Sequence, residues 1–109
     1  MNIRKDVPPG TLELMILGII VRQPMHGWGI MQRLRELSGD VFQVTPGSLF
    51  PALQRLEENG WAQAEWGVSE SNRRARYYSI TANGRKQLKI EEKHWSAIVQ
   101  AVSNVLEGA

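Results

Sequence analysis

Cysteine is absent from this 109-residue chain, and with it go disulfides, thiolate zinc sites, cysteine nucleophiles and thiol-based redox sensing. Histidine is scarce as well. His26 and His94 stand far apart, with no cysteine or paired carboxylates beside either, so a metal centre or a nucleophile, base and orienting group cannot be assembled. His26 instead stands just ahead of a helical segment, where a structural or capping role is expected. No long apolar run exists: Leu12 to Val21 is half of the roughly 20 residues that span a bilayer. The stretch from Met1 to Gly10 carries charge but no small-residue cleavage site. These absences lead to the expectation of a soluble, cytoplasmic protein that is not an enzyme and holds no metal or cofactor.

A strong charge of one sign is also missing, since 13 basic residues against 11 acidic ones leave a net +2. The distribution says more than the sum. Arg73, Arg74 and Arg76 fall within four positions, and Arg85, Lys86, Lys89 and Lys93 follow, whereas Glu57, Glu58, Glu65 and Glu70 lie upstream. Such a cluster is either a solvated hairpin or a phosphate-binding patch, and its context must decide. With 42% hydrophobic and 22% charged residues the composition is that of a folded domain. A chain this long buries about 65% of its unfolded surface, enough for one core.

The pattern along the chain predicts a mostly α fold with a small β-hairpin. Thr11 is placed to cap a helix buried on most faces, built from Leu12, Leu14 to Leu17 and Ile19 to Val21, and Pro24 ends it. A second, amphipathic helix opens near His26-Gly27, carries Ile30, Met31, Leu34 and Leu37 on one stripe, and stops near Ser38-Gly39. Thr45-Pro46 supplies a cap and a first-turn proline for a third helix, with Leu49, Ala52, Leu53 and Leu56 inward and Gly60 as its stop. Trp61 to Trp66 and Arg74 to Ile80 read as two strands, joined by a polar turn over residues 67–73, with Trp61 and Trp66 as hairpin packing. Thr81 caps a last helix running to about Leu106.

Two short helices with a tight turn between them and a hairpin behind make a winged helix-turn-helix, expected over residues 1–81. The second helix of that pair fits a major groove. Thr45, Gly47 and Ser48 at its start, and Gln54 and Arg55 further along, lie opposite the apolar stripe and are candidate DNA contacts; Arg73, Arg74 and Arg76 would lay the wing on the backbone or a minor groove. The last helix, over 82–109, repeats Leu88, Trp95 and Val102 at seven-residue spacing with Ile98, Val99, Val105 and Leu106 in flanking positions. Its apolar stripe outreaches the domain before it, which predicts a homodimer clasped through these residues. Trp95 on that seam either packs as core or, with Val99, Ile98 and Met15, lines a slot for a flat hydrophobic or aromatic effector. The expected partner is double-stranded DNA carrying a pseudo-palindromic operator. The rival is a winged-helix module whose arginines serve an acidic protein.

Four stretches resemble the PadR-type winged-helix transcriptional regulators: residues 12–17 (LELMIL), 25–30 (MHGWGI), 47–60 (GSLFPALQRLEENG) and 73–84 (RRARYYSITANG). They run in unbroken order from about Thr11 to Leu88, and the last two together are specific. The resemblance implies a DNA-binding repressor, dimeric through its C-terminal helix and released by a small ligand or a stress signal. The single long final helix is similar to the compact members of the family. Three positions depart from its usual pattern: Trp28 and Phe50 stand where tyrosine is frequent, and Gly29 where an acidic or polar residue is usual. A phenylalanine at 50 lacks the hydroxyl that would bond a phosphate.

Overall fold

The computed structural model describes residues 10–108; the expectations for the first nine residues lie outside that range. Its elements are α1 (Thr11–Ile20), β1 (Met25–His26), α2 (Gly27–Ser38), α3 (Pro46–Glu58), β2 (Ala62–Val68), β3 (Arg74–Ile80) and α4 (Ala82–Leu106). The strands form one antiparallel sheet in the order β1-β3-β2. This is a winged helix with a long C-terminal helix, as the pattern predicts.

The core gathers Ile16, Leu17 and Ile20 of α1, Ile30 and Leu34 of α2, and Leu49, Ala52, Leu53 and Leu56 of α3, closed by Ala62, Tyr78 and Leu88. Each inward residue follows the 3.6-residue period of its helix. Two expectations at helix ends need correction. Gly10, at φ 82°, is the N-cap of α1 and offers no side chain, so Thr11 is the first helical residue and not the cap. Leu37 keeps the spacing of the α2 stripe but is 64% exposed, because the last turn of α2 lies outside the core and Gly39, at φ 61°, then redirects the chain.

The sheet has a strand that the sequence did not announce. β1 is two residues long, too short to show alternation, and it pairs Met25 with Tyr78 and His26 with Tyr77. His26 thus ends a strand and caps a helix: its Nδ1 accepts from the Gly29 N–H at 3.0 Å, the expected capping role. The hairpin is longer than expected, since β2 continues through Val68 and pairs in register with β3 from Ala62↔Ile80 to Val68↔Arg74. The turn shrinks to Ser69–Arg73, closed by the Ser69 N–H to the Arg73 carbonyl at 2.8 Å.

Where α3, the wing and α4 meet, the chain is fastened tightly. Gly60, at φ 75°, ends α3, with the Trp61 N–H returning to the Leu56 carbonyl and the Gly60 N–H to that of Glu57, the paired bonds of a Schellman motif. Thr81 caps α4 by accepting from the Gly84 N–H at 3.0 Å, while its hydroxyl donates to the Gly60 carbonyl at 2.6 Å and its N–H to the Trp61 carbonyl. Gly84 lies so close that a Cβ there would fall 2.0 Å from the Trp61 carbonyl oxygen.

α4 divides into two halves. Gly84 and Leu88 are buried against the winged body, and Leu88, expected on a dimer seam, lies in the core of its own chain. From Trp95 onward, Ile98, Val99, Val102, Val105 and Leu106 are exposed. At 1.5 Å per residue the 25 residues of α4 extend about 37 Å. Among the described residues no helix is long and apolar enough to cross a membrane.

Candidate nucleic-acid interface

The outer face of α3 begins at a reciprocal cap. Thr45 Oγ1 accepts from the Ser48 N–H at 3.3 Å, and Ser48 Oγ accepts from the Thr45 N–H at 3.2 Å, which satisfies two helix-end donors and fixes both hydroxyls. Both residues remain exposed, as do Gly47, Phe50 and Gln54. Gln54 is steadied by its amide nitrogen donating to Glu58 at 3.2 Å. Arg55 is turned elsewhere. Its Nε donates to Glu13 of α1 at 2.8 Å, and Nη2 reaches the same carboxylate oxygen, so the guanidinium lies on the α1 flank of α3. Forty-two residues separate that pair, and nothing in the local sequence announces it.

The three wing arginines are not equivalent. Arg76 donates to Glu57 of α3 at 3.0 Å and sits 5.7 Å from the Tyr78 ring. Arg74 lies over the Trp66 ring at 4.5 Å, so the expected packing role of Trp66 is a stack on the exposed sheet face, whereas Trp61 lies against the core. Among the described residues no carboxylate lies within salt-bridge distance of Arg73 or Arg74. Two positive charges at the wing tip are thus uncompensated, and it is the exposed and unpaired guanidinium that is available to a phosphate. Burial pushes the Tyr78 phenol up from its ordinary value, with the Arg76 charge acting in the opposite direction.

The wing tip is held to the helices. His26 Nε2 lies 3.2 Å from Glu70 Oε2, and the Glu70 carboxyl is held below its ordinary value, first by a backbone hydrogen bond at its own position and then by the His26 ring. His26 also meets Tyr77 edge to face, with ring centroids 5.3 Å apart. Just below the turn of the hairpin, Tyr77 covers Gly67, where a Cβ would fall 2.9 Å from its ring, and donates to the Val68 carbonyl.

Between the helices and the wing runs a cleft of about 850 Å³, whose walls include Trp28 and Phe50 on one side and Trp66, Arg73 and Arg74 on the other. Gly27 forms part of it, and a Cβ there would stand 2.9 and 3.1 Å from two ring carbons of Phe50, so a side chain at 27 would push the ring aside. The cleft puts α3 and the basic wing on one side of the molecule. Its aromatic walls were not singled out from the sequence as contacts, since exposed tryptophan and phenylalanine carry no local signal of what they face.

The residues expected to line an effector slot lie on two helices, α1 and α4. Met15 packs against the core, whereas Trp95 and Val99 lie on the exposed outer half of α4. No group of three or more potential metal ligands occurs among the described residues.

Comparison with known proteins agrees with this geometry. The family model described as the transcriptional regulator PadR-like family matches residues 16–90. A transcriptional regulator of Mycobacterium tuberculosis is 33% identical over 104 residues, covering 95% of this chain and 91% of that protein. The crystal structure of a Streptococcus mutans protein superposes with a TM-score of 0.85 at 26% identity, over 95% of this chain and 93% of the other. That of a PadR-like transcriptional regulator from Bacillus cereus gives 0.79 at 28% identity, over 92% and 95%.

Proposed function

Because the chain belongs to the PadR-like family of transcriptional regulators, we propose that it binds duplex DNA as a homodimer and represses transcription from a pseudo-palindromic operator. In this reading α3 enters the major groove. Thr45, Gly47 and Ser48 approach the backbone, Gln54 reaches base edges, and Arg73 and Arg74 hold the flanking phosphates. Arg76 and Arg55, each already paired with a glutamate, orient the wing and α3 and contribute less charge to the DNA. The observation that carries the proposal is the shared cleft, with Phe50 of α3 facing Arg73 and Arg74 across it.

The distal half of α4 supports the dimer. Trp95, Ile98, Val99, Val102, Val105 and Leu106 present an apolar stripe that this chain leaves exposed, and the same stripe on a second copy would cover it. A flat aromatic or hydrophobic effector lodged beside Trp95 of each subunit would change the angle between the two α4 helices and so release the operator. In this reading the protein works in the cytoplasm, beside the DNA it controls.

The test is a salt series with duplexes selected from a random pool. A dimer neutralising about 6–10 phosphates should lose roughly 10³ to 10⁵ in affinity between 50 and 200 mM salt. The selected sites should show half-sites about one helical turn apart, or a multiple of it. Binding that ignores salt and prefers no duplex would overturn the proposal in favour of a protein partner.

A further inference from the structure

Phe50 is the least expected residue on the outer face of α3. It is half exposed, apolar, and on the same helical stripe as Gly47 and Gln54, three residues after the one and four before the other. Gly27 makes room for it, since two carbons of the ring lie 2.9 and 3.1 Å from where a Cβ at 27 would stand. A half-exposed phenyl ring lying against the Gly27 backbone is an apolar probe on an otherwise polar helix face. Its open edge looks into the cleft shared with Arg73 and Arg74.

We propose that Phe50 reads the C5-methyl group of a thymine in each half-site. This inference rests on the reading that α3 lies in a major groove. In that groove the thymine methyl is the one apolar group among the base-edge features, and phenylalanine is among the side chains that meet it. The methyl sits on the groove edge close to its own sugar-phosphate strand. A side chain that reaches it must therefore stand beside the phosphate track, which is where the cleft places Phe50 relative to the wing arginines. A phosphate or a polar base edge gains nothing from a phenyl ring, whereas a methyl leaves water against it. Gln54 lies about 6 Å further along the helix axis, or about two base-pair steps at 3.4 Å per step, so it would read a neighbouring pair.

The experiment replaces each thymine of a selected operator, one at a time, by deoxyuridine, and measures binding by the wild-type protein. Removing the methyl at the position facing Phe50 should weaken binding about fourfold for one half-site and about 15-fold for both, from the transfer energy of one buried carbon. In Phe50→Ala the thymine and uracil duplexes should bind alike, and Phe50→Leu should keep part of the difference. Gln54→Ala should relax preference about two steps from the uracil-sensitive position. Wild-type protein indifferent to every thymine-to-uracil change would overturn the inference and leave DNA binding standing, as would a Phe50→Ala variant that keeps the full difference. Failure to bind any duplex would remove both the inference and the reading beneath it.

Discussion

Leu88 and Val102 occupy equivalent steps of the same seven-residue repeat in α4, yet one is 6% exposed and the other 50%. The first meets the winged body and is part of its core. The second lies on the outer half of the helix and stays half exposed among the described residues. An apolar period specifies that a face must be covered but is silent on what covers it. Covering the inner half is a matter of folding; covering the outer half, in the proposed dimer, is a matter of association.

The sharpest way to break that contrast is to cut both halves. Leu88→Ala should destabilise the protein by about 2–5 kcal/mol through a buried cavity, read as a drop in the chemical-denaturation midpoint at any protein concentration. Val102→Asp should leave the unfolding of the isolated subunit within about 0.5 kcal/mol, as exposed positions do, yet shift sedimentation from dimer to monomer. Equal losses of subunit stability in the two variants would erase the distinction. A smaller effect is expected at the anchor of the inner half. Gly84→Ala would gain helix propensity but force a methyl onto the Trp61 carbonyl, for a net loss of about 1–3 kcal/mol in thermal unfolding. The smallest lies at the wing. Arg74→Ala should lower the salt slope of duplex binding by about 2, one contact from each subunit, at every sequence alike, with a lesser change for Arg76→Ala because Glu57 already engages that charge. If the outer half of α4 sets the pairing of subunits, Val102→Asp should reduce operator affinity more than either arginine change does.

The parts of this fold that were legible in the sequence are those specified by neighbours. Thr45 with Pro46, Gly60 and Thr81 mark helix ends through bonds that span only three to five residues, and all of them act where the sequence places them. The inward leucines of α3 follow from period alone. What stayed hidden depends on distant partners. The two residues of β1 become a strand only because β3 passes beside them. Arg55 is exposed as its position on α3 suggests, but its pairing with Glu13 of α1 has no local signal. Leu37 matches its stripe, but the period of a helix does not say where the neighbouring surface ends. The candidate interface was therefore legible as to which elements compose it, and less so as to which of its charges are already spoken for.

The junction at Gly60, Trp61, Thr81 and Gly84 has a mechanical consequence. Two hydrogen bonds and a contact with no room for a methyl bind the exit of α3 to the entrance of α4. Such a joint leaves little slack, so the winged body, the proposed reading head, and α4, its shaft, would turn together. In a paired assembly, a few degrees of splay between two shafts, each tens of ångströms long, would become a change in the spacing of the heads.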